Sequence, residues 1–450
     1  MTDPFPFSAQ ATSDMLEWVK ARIRQGPDPK HGAQSADVLD TAMGGTITEH
    51  GLGADQAFAI FTDVILPATR PFGHPSSLSF VASAPSKASL SFDAALGAAG
   101  IFAGNWDGGA GAIHAENQVL RWLAELAGFP ATAGGVFVAG GTLGNLSALH
   151  AARTRRERQV GKPERWKILC SSEAHSSIHA AAKVMDVDVI PVAADRRGTM
   201  SADAAQTAIG DDAGEVFAIV ANAGATNSGA VDDLKGLAAL AADHGIWLHV
   251  DGAYGLASMA DPDTRPVFDG IEHADSMIAD PHKWLFAPYD SCALIYRDAG
   301  DGRAAHGQQA AYLDAIDPDF FNPSDYALHL TRRARGLPLW YSLATHGTNA
   351  YGAAIARTRA TALAIAKGID ATEGLDLLLG PQLTVILFRP TSMGDETMDA
   401  WAEVHRRSGD LLCLPTTWAG QKVFRLCIVN PETDPEDVLR VVRTLTELQP

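Results

Sequence analysis

Lys283 stands in the run ADPHKWLF, just after a short apolar stretch and between His282 and Trp284. A lysine held in a desolvated pocket has its amine form favoured and can make a Schiff base with an aldehyde. Most lysines are solvated surface charges, and residue type alone does not separate the two. Asp251 ends the strand-like LHVD and is followed by the small residues of GAYG. Ligands of open α/β sheets gather at the carboxyl ends of strands, so a carboxylate there can pair with a buried cation, or simply cap a turn or a helix. Gly140, Gly141 and Thr142 lie between VFVA and a helix-like stretch that begins near Leu143. Such a turn exposes backbone N–H groups and a helix N-terminus to an anion, although a packing turn has the same composition and no GKS or GKT follows as in a nucleotide loop. An anion cradle, a carboxylate and an amine, in that order, match one small molecule with a phosphate, a pyridinium nitrogen and an aldehyde: pyridoxal 5′-phosphate.

Positioning these groups requires a scaffold, and the chain carries its pattern. Seven apolar runs, VFVA, WKILCS, VDVIPV, VFAIVAN, WLHVD, SMIAD and SCALIYR, alternate with helical stretches between residues 134 and 297. Strands apolar on both faces and separated by helices predict a doubly wound α/β core around a mostly parallel seven-stranded sheet. Before it, Met15, Leu16, Trp18, Val19 and Ile23, then Phe58, Phe61, Val64 and Ile65, recur at helical spacing, which predicts an appended helical segment. After it, residues 300 to 335 carry charge, Gly and Pro without a clear period and are expected to form a long functional loop or lid. An Ala-rich helix, LTVILF, a further helix and KVFRLCIV then predict a smaller α+β domain. The expected division is a helical segment over 1–70, a large cofactor domain over 71–345 and a small C-terminal domain over 346–450.

DPHKW, HVDGAYG and TRRARGLPLW together resemble the group II pyridoxal-phosphate-dependent amino-acid decarboxylases, most closely the aromatic-L-amino-acid decarboxylases, over about residues 70 to 435. The resemblance implies fold type I, the aspartate-aminotransferase-like α/β class, with a homodimer whose active site lies at the interface. It implies that Lys283 carries the cofactor, that Asp251 pairs with the pyridine nitrogen, and that Ala253 and His175 cover the two ring faces. Gly141 and Thr142 then match the phosphate turn, His282 helps hold the phosphate, and Thr226 in ANAGATNSG bonds near the ring or the substrate carboxylate. Tyr312 in QQAAYLDA matches the loop tyrosine that protonates the substrate carbon, with Tyr326 a rival for the part. Arg335 and Trp340 fall in the family's basic stretch, and no catalytic step is assigned to Arg335.

The implied activity is decarboxylation of an L-amino acid, aromatic by resemblance, to an amine and CO2. Related aldehyde synthases replace the loop tyrosine or alter the stacking histidine, so Tyr312 with His175 favours the amine. A decarboxylation-dependent aldehyde synthase and a non-catalytic cofactor-binding protein are the competing readings. Departures from the family pattern are Leu143 and Gly144 after the phosphate turn, Gly252 for alanine, Ala225 for the first threonine of GTT, and NWDGGAGAIHAE without the proline of aromatic-specific enzymes. FGHPSSLSF only partly matches the substrate-side segment.

Composition bounds the partners. A net charge of −18 over 450 residues argues against nucleic-acid or anionic-membrane binding, since such a surface repels phosphate. The four cysteines, Cys170, Cys292, Cys413 and Cys427, are dispersed and offer neither a disulfide framework nor a metal cluster. MTDPFPFSAQ lacks the basic and apolar stretches of a signal peptide, and no 18-residue apolar run occurs. A cytoplasmic enzyme with no metal and a small amino acid as its partner is the expectation.

Overall fold

The computed structural model describes residues 5, 7–307 and 321–447. All seven expected strands form: β1 (Gly134–Val138), β2 (Lys167–Ser171), β3 (Asp188–Val192), β4 (Val216–Asn222), β5 (Trp247–Asp251), β6 (Ser276–Ala279) and β7 (Cys292–Tyr296). They make one sheet in the order β1-β7-β6-β5-β4-β2-β3. Only β7 runs against its neighbours, pairing antiparallel with β1 and β6, while the remaining pairs are parallel. Every residue of β4 and β5 is buried, as expected for strands covered by helices on both faces.

The helix Gly141–Val160 follows β1, and its chain then crosses the sheet to reach β2. Shorter helices, Ser176–Met185, Ala202–Ile209 and Leu234–His244, complete successive crossovers. Ser201 and Asp233 cap two of them by accepting from the N–H groups of Ala204 and Gly236, which satisfies donors the first turn leaves free. The carboxyl ends of β1, β2, β4, β5 and β6 therefore meet the start of β7 along one edge of the sheet.

A second sheet, in the order β10-β11-β9-β8, is built from β8 (Leu375–Leu379), β9 (Val385–Pro390), β10 (Pro415–Trp418) and β11 (Gln421–Cys427). β8 and β10 are additional to the sequence expectation. Phe388 and Phe424 of this sheet pack with Ile365, Trp401 and Val442 from the helices Thr348–Asp370, Asp395–Ser408 and Pro435–Arg443. The two sheets are tied at Tyr254, whose hydroxyl bonds the Thr384 hydroxyl and accepts from the Thr384 N–H.

The aperiodic stretch after residue 300 is only partly a loop, because Ala299–His306 is a helix capped by Asp298. Its composition hides it, with Gly300, Asp301 and Gly302 in the first turns, and tertiary contacts supply what propensity lacks. His306 donates from Nε2 to the Ser147 carbonyl at 3.0 Å, and Arg158 donates to the Ala304 carbonyl at 2.9 Å.

The TRRARG stretch proves to be architectural. Arg332 is buried against Glu116 at 2.6 Å, and the same Glu116 oxygen accepts from the Gly336 N–H at 2.8 Å. This pair locks the helix Trp106–Leu126 to the start of the helix Leu337–His346. Removing one partner would leave a buried charge alone, at a cost of about 3–5 kcal/mol. Arg335 instead reaches Asp290 at 3.1 Å.

Candidate active site

A cleft of about 720 Å³ opens at the carboxyl edge of the large sheet. It brings together Gly141 and Thr142 after β1, His175 after β2, Thr226 after β4, Asp251 and Ala253 at the end of β5, and His282 and Lys283 after β6. Eight of the site residues inferred from sequence thus share one cavity. Tyr312 lies outside the described residues. Tyr326 is buried, stacks on Phe321 at a 4.5 Å centroid distance, and is not among the residues lining the cleft.

Register explains why Asp251 is central. It pairs with Asn222 on β4 and with Ile278 on β6, so it sits in the middle of the parallel strands. Asp251 is only 8% exposed, and its carboxylate accepts from Asn145 Nδ2 at 2.9 Å and from the Ala253 N–H at 3.2 Å. Donors of this kind hold the carboxylate in place. Gly252 departs from the family alanine for a packing reason: a Cβ there would fall 1.9 Å from Leu256 Cγ.

Lys283 Nζ lies 3.0 Å from Asp280 Oδ2, and Asp280 is buried. Burial alone pulls the lysine pKa down, but Asp280 and then Asp251 pull it up further, and the net shift is upward. This reverses the expectation that desolvation favours the amine. Lys283 therefore pairs with Asp280 as an ammonium, and Asp251 is the second carboxylate that favours its charge.

The anion cradle is the N-terminus of Gly141–Val160, where no side chain caps the first turn. A Cβ at Gly141 would meet Asp280 Oδ2 at 3.2 Å and Ile278 Cδ1 at 3.3 Å, so glycine keeps the turn low against β6. His282 stands beside it, 3.7 Å from Asp280 through Nε2. His175 opens the helix Ser176–Met185, and its Nδ1 accepts from the Ser177 N–H at 3.2 Å.

Sequence reasoning missed four residues here. Arg425 lines the cleft from β11, is 7% exposed, and has Nε and Nη2 without a hydrogen-bond partner. A single arginine in the otherwise apolar VFRLCIV was the available signal, since strands rarely bury one without use. Asn145 and His249 bond each other at 2.9 Å beneath Asp251. His249 stands two residues before Asp251 on one strand, so both point to the same face, and that period could have exposed it. Asp280 lies three residues before the lysine in DPHKW, and only its burial beside Lys283 reveals the pairing.

An uncapped helix end for a phosphate, a buried carboxylate for a ring cation and a lysine for an aldehyde fit pyridoxal 5′-phosphate by the chemistry of the donors. On this sheet order, they define a fold type I pyridoxal-phosphate enzyme of the α/β class. The pyridoxal-dependent decarboxylase conserved domain matches residues 47–391, and the chain belongs to that family. It is similar to the aromatic-L-amino-acid decarboxylase of Bacillus atrophaeus, at 28% identity over 92% of this chain and 89% of the relative. It is also similar to the L-2,4-diaminobutyrate decarboxylase of Rhizobium meliloti (strain 1021), at 32% identity over 89% of this chain and 83% of that relative. In fold it is similar to Oryza sativa TDC with PLP and tryptamine, with a TM-score of 0.89 at 21% identity, covering 99% of this chain and 98% of the other. The protein is an enzyme of the pyridoxal-dependent decarboxylase family, and its cofactor is pyridoxal 5′-phosphate.

Proposed function

We propose that this enzyme converts an aromatic L-amino acid to its amine and CO2. The observation that carries the reading is the makeup of the cleft lining beyond the cofactor residues. Phe80, Val81, Leu414 and Pro415 supply apolar surface, joined by the Leu414 N–H donating to Ser79 Oγ at 2.7 Å. Each carboxylate that lines the cleft already has a partner, Asp280 Oδ2 in Lys283, Asp251 in Asn145 and Asp290 in Arg335, while Asp280 Oδ1 accepts no hydrogen bond. A side-chain ammonium would have to share one of these carboxylates with the partner it already holds, whereas an aromatic ring needs only the apolar wall.

In this reading Arg425 receives the substrate carboxylate, and Phe80 and Pro415 flank the side chain. Bound in the cleft, pyridoxal 5′-phosphate supplies an aldehyde carbon for the substrate amine and a ring that takes up the electron pair left by departing CO2. Gly141 and Thr142 hold the phosphate through backbone N–H groups, with His282 alongside. Asp251 would face the ring nitrogen, and Ala253 and His175, which line the same cleft, would cover the two ring faces. Thr226 donates near the ring or the carboxylate. Lys283 would be the residue that holds the cofactor aldehyde when no substrate is bound, and Asp280 Oδ2, 3.0 Å from its Nζ, is placed to hold the lysine's charge when it is free. Tyr312 delivers the proton to the substrate carbon.

An amino-acid panel read by mass spectrometry, with CO2, aldehyde and peroxide measured together, tests the reading. Equal amounts of amine and CO2 from tyrosine, tryptophan, phenylalanine or DOPA are expected. Turnover of 2,4-diaminobutyrate alone would transfer the assignment to a diamino acid, with Asp290 as the ammonium acceptor. Tyr312→Phe is expected to divert product from amine to aldehyde, with O2 consumed and peroxide formed, whereas unchanged amine yield would remove Tyr312 from the proton step.

Arg425→Met is expected to raise KM by roughly 30- to 100-fold with a much smaller change in kcat, as for loss of a charge-assisted contact made before the chemistry. Steady-state kinetics on the preferred amino acid check it. An unchanged KM would place the substrate carboxylate elsewhere.

A homodimer fits the N-terminal segment. The helices Ala9–Gln25, Ala36–Met43 and Ala54–Ile60 bury no residue, and Leu16 and Ile47 are 61% and 98% exposed. Apolar surface of this kind is covered by a second copy in the proposed assembly. Sedimentation should show a dimer that Leu16→Asp with Ile47→Asp converts to monomer. The four cysteines are buried free thiols, which supports a reducing, cytoplasmic setting.

A further inference from the structure

Beneath the cleft runs a continuous buried chain of hydrogen bonds. Trp247 Nε1 donates to Ser276 Oγ at 2.8 Å, and Ser276 Oγ lies 2.8 Å from His249 Nδ1. His249 Nε2 lies 2.9 Å from Asn145 Oδ1, and Asn145 Nδ2 reaches both Asp251 Oδ2 and Ser177 Oγ at 2.9 Å. Ser177 Oγ is in turn 2.9 Å from His175 Nδ1. Trp247, Ser276, His249, Asn145 and Ser177 are each no more than 3% exposed. Water therefore offers no alternative partner inside the chain.

Donor and acceptor chemistry gives this chain a direction. An indole N–H can only donate. Ser276 accepts it and has its own hydrogen left for His249 Nδ1. His249 then carries its proton on Nε2 and donates to Asn145 Oδ1, which leaves both amide hydrogens of Asn145 for Asp251 and Ser177. Ser177 donates onward to His175 Nδ1. The other ends demand the same direction independently. An ionised Asp251 can only accept, so the amide NH2 must face it. The Ser177 backbone N–H can only donate, so His175 Nδ1 must accept. Burial lowers the His249 pKa to about 4 despite the opposing pull of Asp251, so a single ring proton is the state the chain requires.

We propose that Asn145, held by His249, Ser276 and Trp247, is a positioning residue that couples the two sides of the cofactor site, keeping Asp251 an acceptor and His175 in the tautomer with its proton on Nε2. His175 then presents an N–H to the cleft and can give, but not take, a hydrogen bond at that atom. The inference rests on the family reading for its use in catalysis, but the tautomers themselves exist without turnover.

Ring-¹⁵N-labelled histidine in the folded protein, with and without pyridoxal 5′-phosphate, reads both tautomers by ¹H–¹⁵N correlation. His175→Gln and His249→Gln identify the two signals. Both rings are expected in the neutral Nε2–H form. An Nδ1–H form at either ring overturns the proposal, and this measurement needs no variant of Asn145 to fold. Asn145→Leu is expected to mix the His175 tautomers and weaken cofactor binding, measured by equilibrium dialysis, by about tenfold. A lower melting temperature with His175 unchanged would reduce Asn145 to packing and also overturn the proposal. The expected tautomers in a protein that releases no CO2 would count against the decarboxylase reading and leave this one standing.

Discussion

Lys283→Ala is expected to lower amino-acid turnover by roughly 10³-fold or more, because among the described residues no other lysine lines the cleft to carry the cofactor. The loss should appear in CO2 release at saturating cofactor and substrate. A second consequence follows from Asp280, which is buried and paired with Lys283 at 3.0 Å. Alanine leaves that carboxylate without its cation, so the cofactor-free variant should also unfold more easily, by up to about 3 kcal/mol. Lys283→Arg separates the two effects. It keeps a cation beside Asp280 and should restore the melting temperature, but its guanidinium cannot deprotonate to attack an aldehyde and the variant should stay inactive. Full CO2 release from Lys283→Ala would end the assignment of the lysine.

Asp251→Ala is expected to cost about 10²- to 10³-fold in kcat, the scale found when one preorganised electrostatic partner is removed from a buried site. The fall should be larger in kcat than in KM, since charge on the ring nitrogen matters most as CO2 departs. Asp251→Asn preserves shape and should lose nearly as much, because an amide carries no charge to stabilise a ring cation. An independent readout comes from the cofactor-free protein. Asp251 is one of the two anions that raise the Lys283 pKa, so neutralising it lowers that pKa and shifts amine modification of Lys283 to lower pH. A kcat within about threefold of the parent would remove Asp251 from the chemistry.

Much of this site could be read from consecutive residues. The glycine turn before a helix, the aspartate at a strand end and the lysine in DPHKW each carry a local geometry that their neighbours dictate. The strand pattern could be read for the same reason, since strands buried on both faces must be apolar throughout. The helix Ala299–His306 could not, because Gly300 and Gly302 weaken its local signal and contacts with Gly141–Val160 stabilise it instead. Local composition also misjudged Lys283: a pocket lysine reads as a neutral amine until Asp280 and Asp251 are placed around it.

Arg425 makes the division plain. It comes from β11 in the C-terminal sheet, yet it shares a cleft with Lys283 and Asp251 because Tyr254 and Thr384 join the two sheets beside it. The His249–Asn145 contact likewise joins a strand to a helix far away in the chain. By itself the sequence determined the kinds of chemistry available, the cofactor they suit and the elements that carry them, because those depend on residue type and on backbone geometry over a few positions. Only the tertiary structure decided which charges neutralise one another, which arginine lines the cleft and which way the buried hydrogen bonds point. Coulomb and hydrogen-bond energies depend on distances across the fold, and strand order sets those distances.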